Sequence, residues 1–122
     1  MNIAIIGASA KREKFGNKAV RAYLQNLSYT VFPVNPKEKS IEGLKCYSSV
    51  LDIKEHIDVA TLYVPAGISM KLVSELKKKR IPVVYINPGA ESDALIAALK
   101  SAGIERRMAC SIKAIGKDPA GY

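Results

Sequence analysis

The chain has 122 residues, 48% of them apolar, which is enough for one domain with a real core and too few for two. Nineteen Lys and Arg against eleven Asp and Glu leave a net charge of +8, which suits an anionic partner without choosing between nucleic acid and a phosphorylated small molecule. No apolar run reaches the ~20 residues of a membrane span, no signal-peptide pattern opens the chain, and two distant cysteines with one histidine are too few for a zinc site. A soluble, cytoplasmic protein is expected.

The first predicted element is the apolar run Asn2 to Ile6, which breaks abruptly into Gly7, Ala8 and Ser9. Its Ile content and short length predict a strand buried on both faces, as in the middle of a parallel sheet. After the basic loop Lys11-Arg12-Glu13-Lys14, the spacing of Ala19, Val20, Tyr23, Leu24 and Leu27 predicts a helix starting near Gly16 or Asn17. Tyr29 to Val34 reads as a second buried strand stopped by Asn35-Pro36. Lys37 to Tyr47 reads as a surface excursion, and Ser48 to Ile53 as one helical turn capped by Ser48.

Val59 to Val64 is the third predicted strand, ended by Pro65-Ala66-Gly67. Ile68, Leu72, Val73 and Leu76 then make one face of a helix, with Lys71, Glu75 and Lys78 pointing away. The run Lys77-Lys78-Lys79-Arg80 sits where a helix ends and cations complement its dipole, a better reading than a nucleic-acid patch. Ile81 to Ile86 is a fourth strand with Pro82 near its start, and Asn87-Pro88-Gly89 breaks it. A helix follows from Glu91-Ser92-Asp93 to about Gly103, then a short strand, Arg106 to Ala109, and a closing segment, Cys110 to Gly116.

Strands and helices that alternate through short loops predict an α/β fold: a Rossmann-like, doubly wound parallel sheet of about five strands in three layers. Right-handed crossovers send the loops that follow strands to one edge. Gly7-Ala8-Ser9, Asn35-Pro36-Lys37, Pro65-Ala66-Gly67 and Asn87-Pro88-Gly89 therefore meet there, each able to bring backbone close to a ligand. Two details argue against an ordinary NAD site. The Gly-x-Gly-x-x-Gly spacing is absent, and the second strand ends on Asn35 where a ribose-binding carboxylate is usual. Lys37 and Lys39 follow instead, and an ammonium there suits a phosphate on or near the ribose, as in NADP and coenzyme A.

Ile6-Gly7-Ala8-Ser9, Phe15-Gly16-Asn17, Val34-Asn35-Pro36-Lys37, Gly43 to Tyr47, Tyr63-Val64-Pro65 and the closing Cys110 occur in an order that resembles the small CoA-binding proteins. The set is also similar, more distantly, to the CoA-binding domain of the succinyl-CoA synthetase α-subunit. The resemblance spans nearly the whole chain, so residues 1–122 are expected to be a single CoA-binding domain with coenzyme A as cofactor. It implies that Gly7, Ala8 and Ser9 with Phe15 and Gly16 cradle the pyrophosphate. It also implies that Asn35 and Pro36 are cofactor-binding residues and that Lys37 faces a phosphate of the 3′-phospho-ADP part, with Lys39 competing for this role. Val64 and Pro65 would line the adenine side, and Asn87, Pro88 and Gly89 the pantetheine arm. The last loop departs from the acidic Thr-Glu-Gly version of the synthetase, which leaves its backbone rather than its side chains to make contacts.

The synthetase's chemistry does not transfer, because its phosphorylated histidine belongs to a second domain, and His56 falls just before a strand, away from the ligand edge. No Ser-His-Asp order, paired carboxylates or metal cluster stands out. The expected role is a non-catalytic carrier, sensor or partner module. An NADP-dependent oxidoreductase or redox sensor is the alternative, with Tyr63, Tyr85 or Lys113 as its available proton donors; a nucleic-acid module is weaker, since Tyr23, Tyr63 and Tyr85 fall on buried faces. Both cysteines read first as core residues, while Cys110, next to Lys113 and returning toward the ligand edge, has a mixed disulfide with the CoA thiol as its functional alternative. The expected partners are a small-molecule nucleotide cofactor and, through an apolar helix stripe, a second copy or another protein.

Overall fold

A computed structural model describes residues 1–122. Five strands, β1 (Asn2–Ile6), β2 (Thr30–Val34), β5 (Val59–Leu62), β6 (Val83–Ile86) and β7 (Glu105–Met108), form one sheet in the order β2-β1-β5-β6-β7. Every pairing in it is parallel. The order reverses direction at β1, so the crevice beyond the ends of β1 and β5 is the topological switch point where open α/β sheets bind ligands.

Alternation along β1 explains the three layers. Ile3 and Ile5 face α1 (Phe15–Leu24), whereas Ala4 and Ile6 face α2 (Ala66–Lys78) and α3 (Asp93–Ser101), and all four are buried. The larger core, on the α2 and α3 face, is filled by Leu62, Leu76, Ile86, Leu95 and Leu99. A strand buried on both sides reads as a continuous apolar run, which is why β1 and β5 were legible without alternation.

Pro33 lies inside β2, paired with Ile5, and is tolerated because β2 is an edge strand of the main sheet. On its outer side the Pro33 carbonyl accepts from the N–H of Tyr47 at 2.9 Å. Pro82 precedes β6, as expected from its missing N–H, and its carbonyl still accepts from the Glu105 N–H. The basic run closes α2, with Lys79 as the capping residue and Arg80 in the left-handed region at φ 59°.

Three expectations need correction. The excursion after Lys37 is a hairpin, β3 (Ser40–Ile41) and β4 (Leu44–Lys45), turned by Glu42 and Gly43, both at positive φ. It buries Ile41 in the α1 side of the core, and strands of two residues are too short to leave a period in the sequence. The turn after it is a 3₁₀ turn, Val50–Asp52, capped by Ser49 and not Ser48: the Ser49 hydroxyl accepts from the Leu51 N–H at 3.1 Å. Glu75 does not point away from α2's packed face but accepts a hydrogen bond from the Ser49 hydroxyl. The closing segment also contains a short helix, α4 (Ser111–Ala114), packed against α1.

Candidate functional site

The loop between β1 and α1 is built by two glycines that touch. Gly7 sits at φ 89°, and a Cβ there would stand 2.7 Å from the Tyr63 carbonyl oxygen. A Cβ on Gly16 would stand 2.2 Å from the Gly7 carbonyl oxygen, so the helix start can approach the strand end only without a side chain. The N–H groups of Asn17 and Lys18 bond to the Lys14 carbonyl, whereas those of Phe15 and Gly16, in the first turn, find no acceptor in the chain. Free N–H groups at a helix start, approached by glycine backbone, suit a phosphate anion.

Asn17, fully buried, fixes this loop: its Nδ2 donates to the Ser9 carbonyl at 2.8 Å and its Oδ1 accepts from Arg21 Nε at 2.7 Å. The same Nδ2 reaches Glu42 on the hairpin tip at 3.2 Å, so the hairpin braces the loop. Asn35 works from the other side, its Nδ2 donating to the Ala8 carbonyl at 2.8 Å and its Oδ1 accepting from the Lys37 N–H at 2.8 Å. Both amides therefore brace the loop, Asn17 through the Ser9 carbonyl and the Arg21 and Glu42 side chains, Asn35 through the Ala8 carbonyl and the Lys37 N–H.

Three cavities open along this edge and share one residue, Val64. A cleft of about 470 Å³ runs over Gly7, Ser9, Phe15 and Gly16, with Lys14 at its rim. A narrow slot of about 270 Å³ lies between the end of β2 and α2, lined by Asn35, Pro36, Val50, Leu72 and Glu75 among others. The largest, about 710 Å³, lies between the α1 start, the loop after β6 and the closing segment. Phe15, Pro65, Asn87, Pro88, Gly89 and Cys110 line it. Glycine backbone, a cation at the rim, an apolar slot and a larger cavity thus lie side by side along this edge.

Eleven of the thirteen residues expected at the site line these cavities: Gly7, Ser9, Phe15, Gly16, Asn35, Pro36, Val64, Pro65, Asn87, Pro88 and Gly89. Ala8 is fully buried under the loop and offers packing. Lys37 is exposed on the turn after Asn35, and its side chain lines none of the three. Phe15 is 56% exposed, with Lys18 Nζ 5.1 Å from its ring centre. A large aromatic left in the open at the junction of two cavities is suited to covering a bound molecule.

A buried polar cluster under the largest cavity was not legible in the sequence. Asn87 Nδ2 donates to Thr61 Oγ1 at 2.7 Å and to the Leu62 carbonyl at 2.9 Å, while its Oδ1 accepts from the Ser111 N–H at 2.9 Å. Thr61 Oγ1 donates to Ser111 Oγ at 2.9 Å, Tyr63 OH lies 2.8 Å from the same oxygen, and Tyr23 OH donates to the Ser111 carbonyl at 2.7 Å. These bonds hold α4 against the sheet and so place Cys110 and Lys113 on the cavity wall. Burial pushes the Tyr63 phenol up to about 12, only partly offset by its hydrogen bond to Ser111, and pushes the Tyr23 phenol upward as well.

The cysteines differ. Cys46 is buried beneath the hairpin, its thiol raised above its usual value by burial. Cys110 is half-buried and lines the largest cavity. His56 lies at the opposite edge, 3.3 Å from Asp58, as its position before β5 implied. No helix is long and apolar enough to cross a membrane.

A switch-point crevice with a glycine-built phosphate cradle defines a Rossmann-like nucleotide-binding protein. Residues 1–117 match the CoA binding domain family, and the chain belongs to it. The chain is 40% identical over 103 residues, 84% of its own length, to acetate–CoA ligase [ADP-forming] I of Archaeoglobus fulgidus. It spans only 11–16% of the length of that ligase and two others, one from the same organism and one from Methanocaldococcus jannaschii. Among solved structures it is similar to Prb, the PH1109 protein redesigned for binding, with TM-score 0.85, 33% identity, and 92% of this chain and 79% of that one covered. It is also similar to a conserved hypothetical protein of Pyrococcus furiosus, with TM-score 0.80, 35% identity, and 86% and 90% covered.

Proposed function

We propose that residues 1–122 act as one domain that binds coenzyme A, or an acyl-CoA, along the carboxyl edge of the sheet. In this reading the base enters the slot beside α2, the pyrophosphate rests on Gly7, Ser9 and the N–H groups of Phe15 and Gly16, and the pantetheine arm runs through the 710 Å³ cavity toward Cys110. Lys37, on the turn at the end of β2, then faces the 3′-phosphate from solvent. The observation that carries this is that all three cavities border Val64, which sets them side by side along the edge as a bent, three-part ligand needs.

The same geometry supports a carrier, sensor or partner module rather than a catalyst. His56 is at the wrong edge. Tyr63, the nearest phenol to the cavity, is held by Ser111 and pushed up to about 12, far from the neutral range in which a general acid works well. For an NADP-dependent oxidoreductase that leaves Lys113, which lines the same cavity, as the proton donor to test.

A thermal-shift comparison of coenzyme A, dephospho-CoA, NADP and NAD tests the reading, since a ligand that binds only the folded state raises Tm. Coenzyme A should give the largest shift, and Lys37→Ala should narrow its lead over dephospho-CoA while leaving the unliganded Tm unchanged. Equal shifts for coenzyme A and NADP, or none for coenzyme A, overturn it.

A further inference from the structure

We infer that Glu75 is a specificity residue, reading the exocyclic amino group of the base and so selecting an aminopurine over an oxopurine. This rests on the binding reading above, because it requires the base to occupy the slot beside α2. The slot is walled by apolar side chains, among them Ile6, Val50, Val64 and Leu72, and Glu75 is the one ionisable residue that lines it. Its volume of about 270 Å³ and its apolar walls suit a single flat heterocycle.

Of the polar side chains that line the slot besides Glu75, Ser48 is exposed, while Asn35 and Ser49 bond within the chain. Asn35 is committed at both ends of its amide, to the Ala8 carbonyl and the Lys37 N–H. The Ser49 hydroxyl accepts from the Leu51 N–H and donates to Glu75 Oε1. Glu75 forms no ion pair, and its Oε2 receives no hydrogen bond from the chain. Glu75 is half-buried and its Oε2 is open to water, so a base that enters the slot and displaces that water has to offer a donor in return, and an amino group on the base supplies one. A base with a carbonyl oxygen at that position would set two acceptors against each other, which builds discrimination by repulsion as well as by attraction.

Ser49 gives the proposal a directional consequence. In Glu75→Gln the Ser49 hydroxyl still needs an acceptor, so the amide oxygen turns toward Ser49 and the amide nitrogen toward the slot. The residue then donates where it used to accept, and the base preference should reverse.

The experiment is calorimetric titration of wild-type protein and Glu75→Gln with coenzyme A and with its analogue carrying hypoxanthine in place of adenine. Wild type should bind coenzyme A roughly tenfold or more tightly than the analogue. Glu75→Gln, melting as wild type does, should bind the analogue at least as well as coenzyme A. Equal affinity of wild type for the two ligands overturns the role of Glu75 and leaves the binding reading standing, and so does an unchanged preference in Glu75→Gln. If wild type binds neither, the binding reading falls and this inference falls with it.

Discussion

The loops after β1 and after β6 both line the cavities of the carboxyl edge, but they are built in opposite ways. Between β1 and α1 the backbone is pressed so closely that a Cβ on Gly16 would lie 2.2 Å from the Gly7 carbonyl oxygen. Between β6 and α3 a Cβ on Gly89 would meet nothing within 4 Å, and the loop is held through the Asn87 side chain instead. One loop is fixed by the absence of side chains, the other by a side chain that bonds. The first shape suits an invariant group such as a pyrophosphate. The second leaves room for a variable arm, and its wall includes the closing segment that Asn87 tethers through Ser111.

Substitutions should break this contrast in a graded way. Gly16→Ala should be the most damaging, costing about 3 kcal/mol of stability because backbone rather than a flexible side chain has to move, and it should abolish CoA-induced stabilisation. Denaturant unfolding with and without ligand measures both. Asn87→Ala should cost about 2 kcal/mol by leaving the buried Ser111 N–H unpaired. It should also raise amide hydrogen exchange across α4, whereas Gly16→Ala should act on α1.

The polar cluster beneath the last loop predicts a pH response. The phenols of Tyr63 and Tyr23 are raised above their ordinary value of 10.0, so the folded state holds their protons more tightly than the unfolded chain. Their contribution is fully present below pH 10 and is lost as pH rises through the folded values, beginning between pH 10 and 12 for Tyr63. Unfolding midpoints measured from pH 8 upward should fall in that window, and Tyr63→Phe should flatten part of the fall, Tyr23 keeping the remainder. The smallest effect should come from Gly89→Ala, about 1 kcal/mol from its φ of 90° alone, with ligand binding preserved. A loss of binding as large as that of Gly16→Ala would erase the distinction between the two loops.

The fold was legible because double-sided burial writes long apolar runs, and because Gly and Pro punctuate the end of each strand. Most of the edge followed from that alone, since right-handed crossovers deliver Gly7, Asn35, Pro65 and Asn87 to one side without any knowledge of packing. The interactions that hold the edge were not legible. Ser49 and Glu75 are far apart in sequence, as are Thr61 and Ser111, and their pairing exists only once α2 and α4 dock. The hairpin leaves no mark for a different reason, two-residue strands being too short for a pattern, although Glu42-Gly43 forms its turn with both residues at positive φ. Asn17 and Asn35 stood in the right places, but a sequence cannot show that their amides brace the loop from inside.

Hydrogen exchange read by mass spectrometry, with and without coenzyme A, tests the central claim most directly. The account predicts new protection confined to the carboxyl edge: Gly7 through Gly16, the segments around Val64 and Asn87 to Gly89, and the α4 segment. No change at these segments, or protection centred on the opposite edge around His56 and Asp58, would contradict it.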